Sequence, residues 1–404
     1  MLLNIAIIGS AILASIYLLS PRVSKSRVWR ATVTPLASII GSGFLVLAPI
    51  LVSAYGRNAP LIMAGLCLGA YLFGAAIRFN IFWRNVPEPL ENIAVERLEI
   101  AASWSLVFAF MISVAYYLNL LGAFAVSLTP FDNHINAKLL TSAVYILILI
   151  VGWTSGFRAL ERMEYAAVTL KLAIIVGLLV GLTYYFYQKA SGSGLYFHAP
   201  ELSGWPAFTL AFGLIITVQG FETSRYLGHN YDPATRIKSM RLAQAVCAVI
   251  YMLYISLFAY SFDRSQFQLS ETAIIDMMSL ITPILPVLLV AAALAAQFSA
   301  AIADTSGSGG LLKELTRGRM SARNGYALLV AVGLFLTWEA NIFQIIAYAS
   351  RAFAIYYSLQ SAIAARRAFL VGGTLYQKAG FILLAVLGTV IVLFGNDVES
   401  VGTS

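Results

Sequence analysis

A chain of 404 residues that is 60% hydrophobic and only 11% charged does not fit a soluble fold, because apolar runs of membrane-spanning length recur between short polar loops along its whole length. The formal net charge of +8 belongs to membrane topology before it belongs to nucleic acid, and no nucleic-acid partner is expected. Cys67 and Cys247 lie inside apolar runs without CxxC spacing, and His134, His198 and His229 are scattered over loops. Neither a disulfide framework nor a metal or cofactor site is therefore expected. The expected class is an all-α polytopic membrane protein.

In chain order, residues 1–20 form an uncharged apolar run followed by Arg22, Lys25, Arg27 and Arg30. Lacking a basic n-region and exceeding a signal-peptide core, the run predicts an uncleaved leader span with its N-terminus outside. Ten core spans follow at about 33–55, 58–78, 99–128, 137–155, 165–187, 206–226, 240–262, 283–305, 324–338 and 342–365, with a tail span at about 379–395, twelve in all. Of the 26 Lys and Arg, Arg57, Lys138, Lys189 and Arg264 fall in outside segments and Lys171 and Arg351 within spans; the rest fall in loops and span ends placed inside. One missed span would invert that asymmetry downstream, so charge supports the count. Between core spans seven and eight, residues 266–285 are too broken to span and too apolar for a free loop, which predicts a helical hairpin over the outer mouth. GxxxG pairs at Gly65/Gly69 and Gly177/Gly181 permit close helix packing.

Two core spans are interrupted. In the first, Gly41-Ser42-Gly43 stands mid-span, where two glycines flanking a hydroxyl make unwinding cheap. In the sixth, Gln219, Gly220, Glu222, Thr223 and Ser224 crowd into six residues at hydrocarbon depth. Non-helical backbone is tolerated there only where protein or a water-filled cavity satisfies its polar groups, so both breaks point to one central cavity. Paired breaks in two halves of a chain mark the binding site of an inverted-repeat transporter. Candidate substrate-binding residues are Ile40, Gly41, Ser42, Gly43, Gln219, Gly220, Phe221 and Glu222, with Tyr116, Tyr117 and Asn119 as possible walls. Gln219 equally suits a polar contact between packed helices, and the tyrosines suit packing.

Ionisable groups within a bilayer are costly and mark pathways or relays. Lys171, Glu222, Asp304 and Arg351 qualify. Lys171 reads either as an inner-end lysine snorkelling to the headgroups or as a buried ammonium on carbonyls freed near Gly41. Asp304, with Ser299, Thr305 and Ser306 near it, is either a helix-end carboxylate or a partner of Lys171. Arg351 is too deep to snorkel comfortably and calls for a carboxylate, that of Glu222 or of a substrate.

These residues resemble the amino acid-polyamine-organocation transporters, built on the leucine-transporter type of fold. Gly41-Ser42-Gly43 is similar to the family's Gly-Ser-Gly in the first broken span, with Phe44-Leu45 where Ile-Phe is usual. Gly220-Phe221-Glu222 matches the Gly-Phe-Glu of the sixth, and Asn230-Tyr231-Asp232-Pro233 with Arg236 resembles the segment after it; the acidic pair between them is replaced by Leu227-Gly228-His229. Thr169-Leu170-Lys171-Leu172 resembles a fifth-span pattern in which lysine takes the place of a sodium ion in some proton-coupled members. The resemblance implies a 5+5 inverted repeat with broken first and sixth core helices, halves at 31–190 and 191–370, and flanking segments at 1–30 and 371–404. It also implies that Lys171, Asp304 and Ser299 serve coupling.

The leading expectation is secondary active transport of an amino acid or amine, with a small-molecule substrate, a coupling proton and the lipid bilayer as partners and a bacterial inner membrane as location. An inorganic-cation transporter of the potassium type and a non-transporting sensor or scaffold remain alternatives. No HExxH, GxSxG or GxxxxGK[ST] motif occurs, which speaks against an enzyme or a primary pump.

Overall fold

The computed structural model describes residues 2–41, 43–85, 92–154, 157–192, 194–229, 231–266 and 268–397. Helices dominate, and no strand occurs among the described residues. The leader is α1 (Leu2–Leu19), followed by the short α2 (Pro21–Ser24). The first core span is split into α3 (Arg27–Ile39) and α4 (Gly43–Tyr55), and α5 (Ala59–Arg84), α6 (Ile93–Val126), α7 (His134–Thr154) and α8 (Phe157–Ser191) complete the first five spans. The sixth is split into α9 (Gly204–Gly213) and two 3-10 segments, Ile215–Val218 and Phe221–His229. After it come α10 (Pro233–Ser261), α11 (Ala273–Ser279), α12 (Ile284–Leu315), α13 (Ala322–Glu339), α14 (Ile342–Leu370) and the tail α15 (Leu375–Phe394).

Helix starts follow their capping residues. Asp232 caps α10 ahead of Pro233, and Asn341 with Gln344 and Thr374 with Gln377 form capping boxes on α14 and α15. Among the described residues, eight segments are long and apolar enough to cross a membrane, one of them, Gly43–Arg84, joining α4 to α5. The remaining crossings miss that standard for physical reasons: α3 and α9 are half-spans, α13 has Arg323, Asn324 and Glu339 at its ends, and α14 carries inward-facing Ser350, Tyr356, Tyr357, Gln360 and Ser361.

The centre of the bundle is α6, where 89% of the apolar window is buried, against 6% in α1. Helix contacts recur in pairs. α6 packs on α14 as α12 packs on α8, α6 on α7 as α12 on α13, and α5 on α14 as α10 on α8. α3 meets α8 as α9 and its following 3-10 turn meet α14. Exchanging the first five core spans with the second five relates the two members of each of these pairs.

Two expectations are corrected. The outer segment forms one short helix, α11, lying on α12 and α4, rather than a hairpin; its chain turns at Thr282-Pro283 directly into α12. Of the two glycine pairs, Gly177 and Gly181 receive Ile7 of α1 in close contact, whereas Gly65 and Gly69 face open space.

Candidate functional site

The first break frees the last carbonyls of α3, which lack intrahelical partners. Ile40 leaves helical geometry at φ −85°, ψ 54°, and α4 restarts at Gly43. Lys171, on α8 and 1% exposed, donates its ammonium to Ala37 O at 2.8 Å and Ile40 O at 2.7 Å. The snorkelling alternative is excluded by that burial. The Tyr251 hydroxyl of α10 meets Ile39 O at 3.0 Å and also Thr217 O at 2.8 Å, so one side chain touches both breaks.

In the sixth span, Ser350 of α14 patches the end of α9: its Oγ donates to Gly213 O at 2.6 Å and accepts Ile216 N–H at 3.1 Å. Gln219 is extended (φ −82°, ψ 172°) and Gly220 has φ 119°, a conformation that glycine adopts without a Cβ clash. A Cβ on Gly220 would lie 2.6 Å from Ser38 Cβ and from Ile39 N, and one on Gly43 would lie 2.6 Å from Thr217 Cα. The two breaks therefore cross backbone on backbone.

Glu222 is fully buried. Its Oε2 accepts Gly220 N–H at 3.0 Å and the Tyr357 hydroxyl at 2.9 Å. Gln219 Nε2 donates to the Tyr117 hydroxyl at 2.9 Å. Glu222 Oε1 and Gln219 Oε1 are buried without a hydrogen-bond partner among the described residues, so each has acceptor capacity left for a ligand or water. Gly41 stands where α3, α6 and α12 converge: a Cβ there would meet Tyr117 Cε1 at 3.4 Å and Ala300 Cβ at 3.5 Å.

Not all predicted residues join this centre. Phe221 stacks on Tyr357 with ring centroids 5.2 Å apart, forming wall rather than lining. Tyr116 is buried beside Tyr117, centroids 5.6 Å apart, and it is Tyr117 that reaches Gln219. Asn119 donates to Thr337 Oγ1 on α13 at 2.9 Å, a packing contact away from the breaks. Asp304 accepts the Ser113 hydroxyl of α6 at 2.5 Å and stands near enough to Tyr117 to act on it electrostatically, at the edge of the centre; Ser299 bonds Ala296 O within its own helix. Arg351 reaches neither Glu222 nor the centre: its Nε donates to Gly395 O at 2.8 Å, just past the end of the tail helix. The reason is helical phase, since Ser350 and Tyr357 are seven apart and share the inner face of α14, whereas Arg351 is turned about 100° from it. Ser42 lies outside the described residues.

Sequence reading missed Tyr251, Ser350, Tyr357 and Gln297. Hydroxyls are common in membrane helices and carry no signal of their own. Gln297 does: it is an amide in the Ala-rich run of α12, one turn from Ala300, fully buried, with neither Nε2 nor Oε1 bonded among the described residues.

Beside the first break, towards α8 and α12, the packing leaves a small gap that borders no residue of the sixth-span break. The gap, about 10 Å³ and room for one water, is lined by Ile40, Gly41, Phe44, Lys171 and Ala296 among others. Towards the Lys/Arg-rich side a vestibule of about 610 Å³ opens. It is shut off from the centre by a ring of side chains: Arg225 bonds Glu99 and Gln360, Asn80 Nδ2 donates to Gln360 Oε1 at 2.9 Å, and Arg367 meets Glu99 at 3.1 Å and Asn80 O at 3.2 Å.

Two abutting helix breaks inside a bundle of paired five-helix sets, with a buried lysine on the freed carbonyls, define a multi-pass membrane protein of transporter type. A family model described as "APC superfamily transporter" matches residues 21–395, and the chain belongs to that family. It is also similar to an uncharacterized protein of Aquifex aeolicus (strain VF5), 42% identical over 404 residues, with 96% of each chain covered.

Proposed function

We propose that the chain is a secondary active transporter of a small organic solute, an amino acid or amine, that works by alternating access in a bacterial inner membrane with a proton in place of sodium. The observation that carries this reading is the Lys171 ammonium on the carbonyls of Ala37 and Ile40. A fixed ammonium fills the position a metal cation would take, and a sodium ion beside it meets like-charge repulsion until the lysine gives up its proton. Asp304 and Ser299, on α12, are assigned to the route of that proton.

A zwitterion suits the rest of the centre. Its carboxylate would face the amides that open α4 at Gly43, favoured by the helix dipole. Its ammonium would take the free acceptor oxygens of Gln219 and Glu222. On this reading the repeats span 31–190 and 191–370, and two half-helices, one from each, hold the solute.

The experiment is uptake of labelled amino acids and amines into proteoliposomes, with sodium replaced by choline and a pH gradient imposed. Accumulation that survives without sodium and disappears in Glu222→Gln is expected. An absolute sodium requirement would refute the coupling, and solute binding without movement would make the chain a sensor.

A further inference from the structure

Among the described residues, the vestibule on the Lys/Arg-rich side has a floor with more buried guanidinium groups than carboxylates paired to them. Arg225, Arg236 and Arg367 are 7%, 6% and 8% exposed. Glu99 is the carboxylate that answers them: it pairs with Arg225 through Oε2 and with Arg367 through Oε1 at 3.1 Å. Arg236 forms no ion pair with a carboxylate among the described residues; exposed Asp232, paired with Arg27, acts on it only from farther off. One Nη of Arg236 donates to Arg225 O at 2.8 Å, the other reaches Asn85 Oδ1 only at 3.5 Å, and its buried Nε has no hydrogen-bond partner among the described residues. Arg225 and Arg84 both act to repel it, against the weaker pull of Asp232. Glu96 and Glu314 also line the vestibule, but they are exposed at its mouth, where water screens them.

A buried guanidinium without an ion-pair partner is costly, and the planar fork of arginine matches carboxylate and phosphate oxygens. The neighbours of the site add a reason for occupancy. Arg225 follows Glu222 by three residues, and the Tyr226 hydroxyl meets that of Tyr356, next to Tyr357, at 3.3 Å. An anion on this floor would therefore pin the inner end of the sixth span just beneath the proposed solute site.

We propose that the vestibule is a binding site for an oxyanion, a phosphate or carboxylate group, held by Arg236 together with Arg225 and Arg84. The site does not depend on which solute the centre carries. Its occupant arrives either as a soluble anion or as the headgroup of an anionic lipid, and both present the same oxygens.

The probe is inorganic phosphate, added to the delipidated full chain in neutral detergent, with chloride at matched ionic strength as reference. The thermal midpoint is expected to rise with phosphate and not with chloride, as mass action requires of a ligand that binds the folded state. Arg236→Gln should weaken the apparent affinity roughly tenfold, as loss of a charge-assisted hydrogen bond does. Arg84→Gln should weaken it less; because Arg84 is exposed, this variant keeps the test alive if Arg236→Gln fails to fold. Nanodiscs distinguish the two sources: a phosphate response abolished by phosphatidylglycerol assigns the site to a lipid headgroup, and one that persists there as in phosphatidylcholine assigns it to a soluble anion. Equal responses to phosphate and chloride, or a phosphate response unchanged in both variants, would overturn the proposal.

Discussion

Replacing Lys171 by alanine should turn a sodium-indifferent protein into a sodium-responsive one. Two opposing terms decide the outcome. Removal strands the Ala37 and Ile40 carbonyls, bonded at 2.8 and 2.7 Å in the native chain, and each unsatisfied buried acceptor costs about 1–3 kcal/mol, so about 2–6 kcal/mol is lost. Removal also abolishes the cost of holding an ammonium at 1% exposure, which is several kcal/mol. The terms are of similar size, so the thermal midpoint of Lys171→Ala in choline chloride is not the informative number. Its cation dependence is. The vacated space adjoins a gap of about 10 Å³ and presents two carbonyl oxygens with no donor, the ligand type that hard cations prefer. Sodium at one hundred times its dissociation constant would then stabilise the variant by about 2.7 kcal/mol, while wild type stays unchanged. The assay is thermal unfolding in detergent with sodium against choline, paired with uptake under a pH gradient. A sodium response in wild type, or undiminished proton-driven accumulation by Lys171→Ala, would refute the assignment.

Two further outcomes follow from local geometry. Gly220→Ala places a Cβ 2.6 Å from Ser38 Cβ and from Ile39 N at φ 119°, so strain of about 1–3 kcal/mol is expected from the backbone alone; chemical denaturation of the variant measures it, and wild-type stability would show that the breaks do not abut. Asp232 caps α10 through Thr235 N–H at 2.8 Å and Thr235 Oγ1 at 2.7 Å, bonds that hold its carboxyl below the usual carboxylate range. A depressed folded value means the contribution is present above the unfolded pKa and lost as pH falls through the folded one. Asp232→Ala should thus lower the thermal midpoint at neutral pH, with the gap from wild type closing in acid; a gap that widens in acid would contradict the sign.

The two helix breaks were legible because glycine and clustered polar residues stand out in an apolar run: Gly41 lies between the two halves of the first span and Gly220 between the two 3-10 segments of the sixth, although α9 already stops at Gly213, which the sequence did not signal. Lys171 was legible for the same reason, a charge with too much hydrocarbon around it. What one sequence does not give is helical phase. Arg351 and Ser350 are adjacent, yet Ser350 bonds the sixth-span break and Arg351 bonds the end of the tail, and only the packing of α14 decides which faces in. Asn119 failed likewise, its amide turned to Thr337. Tyr251 and Tyr357 were invisible because a tyrosine at an interface, in a core or on a carboxylate has the same letter and similar flanks.

The contact between the breaks constrains how the molecule can change shape. Gly43 against Thr217 and Gly220 against Ser38 leave no space for the half-helices to slide past one another, and Tyr251 bonds a carbonyl from each. On the proposed alternating access the broken spans would then move as one body, with access changing at closures on either side. On the proposed function the inner closure would be the ring of Arg225, Glu99 and Arg367, whose side chains are 5–15% exposed. The outer closure hangs on Arg264, which donates to Val52 O at 3.1 and 3.2 Å and to Glu201 Oε1 at 2.7 Å. Glu201 is 61% exposed, so that ion pair is worth about 0–1 kcal/mol. Under the proposed alternating access, these two clusters are where the molecule would part to either side.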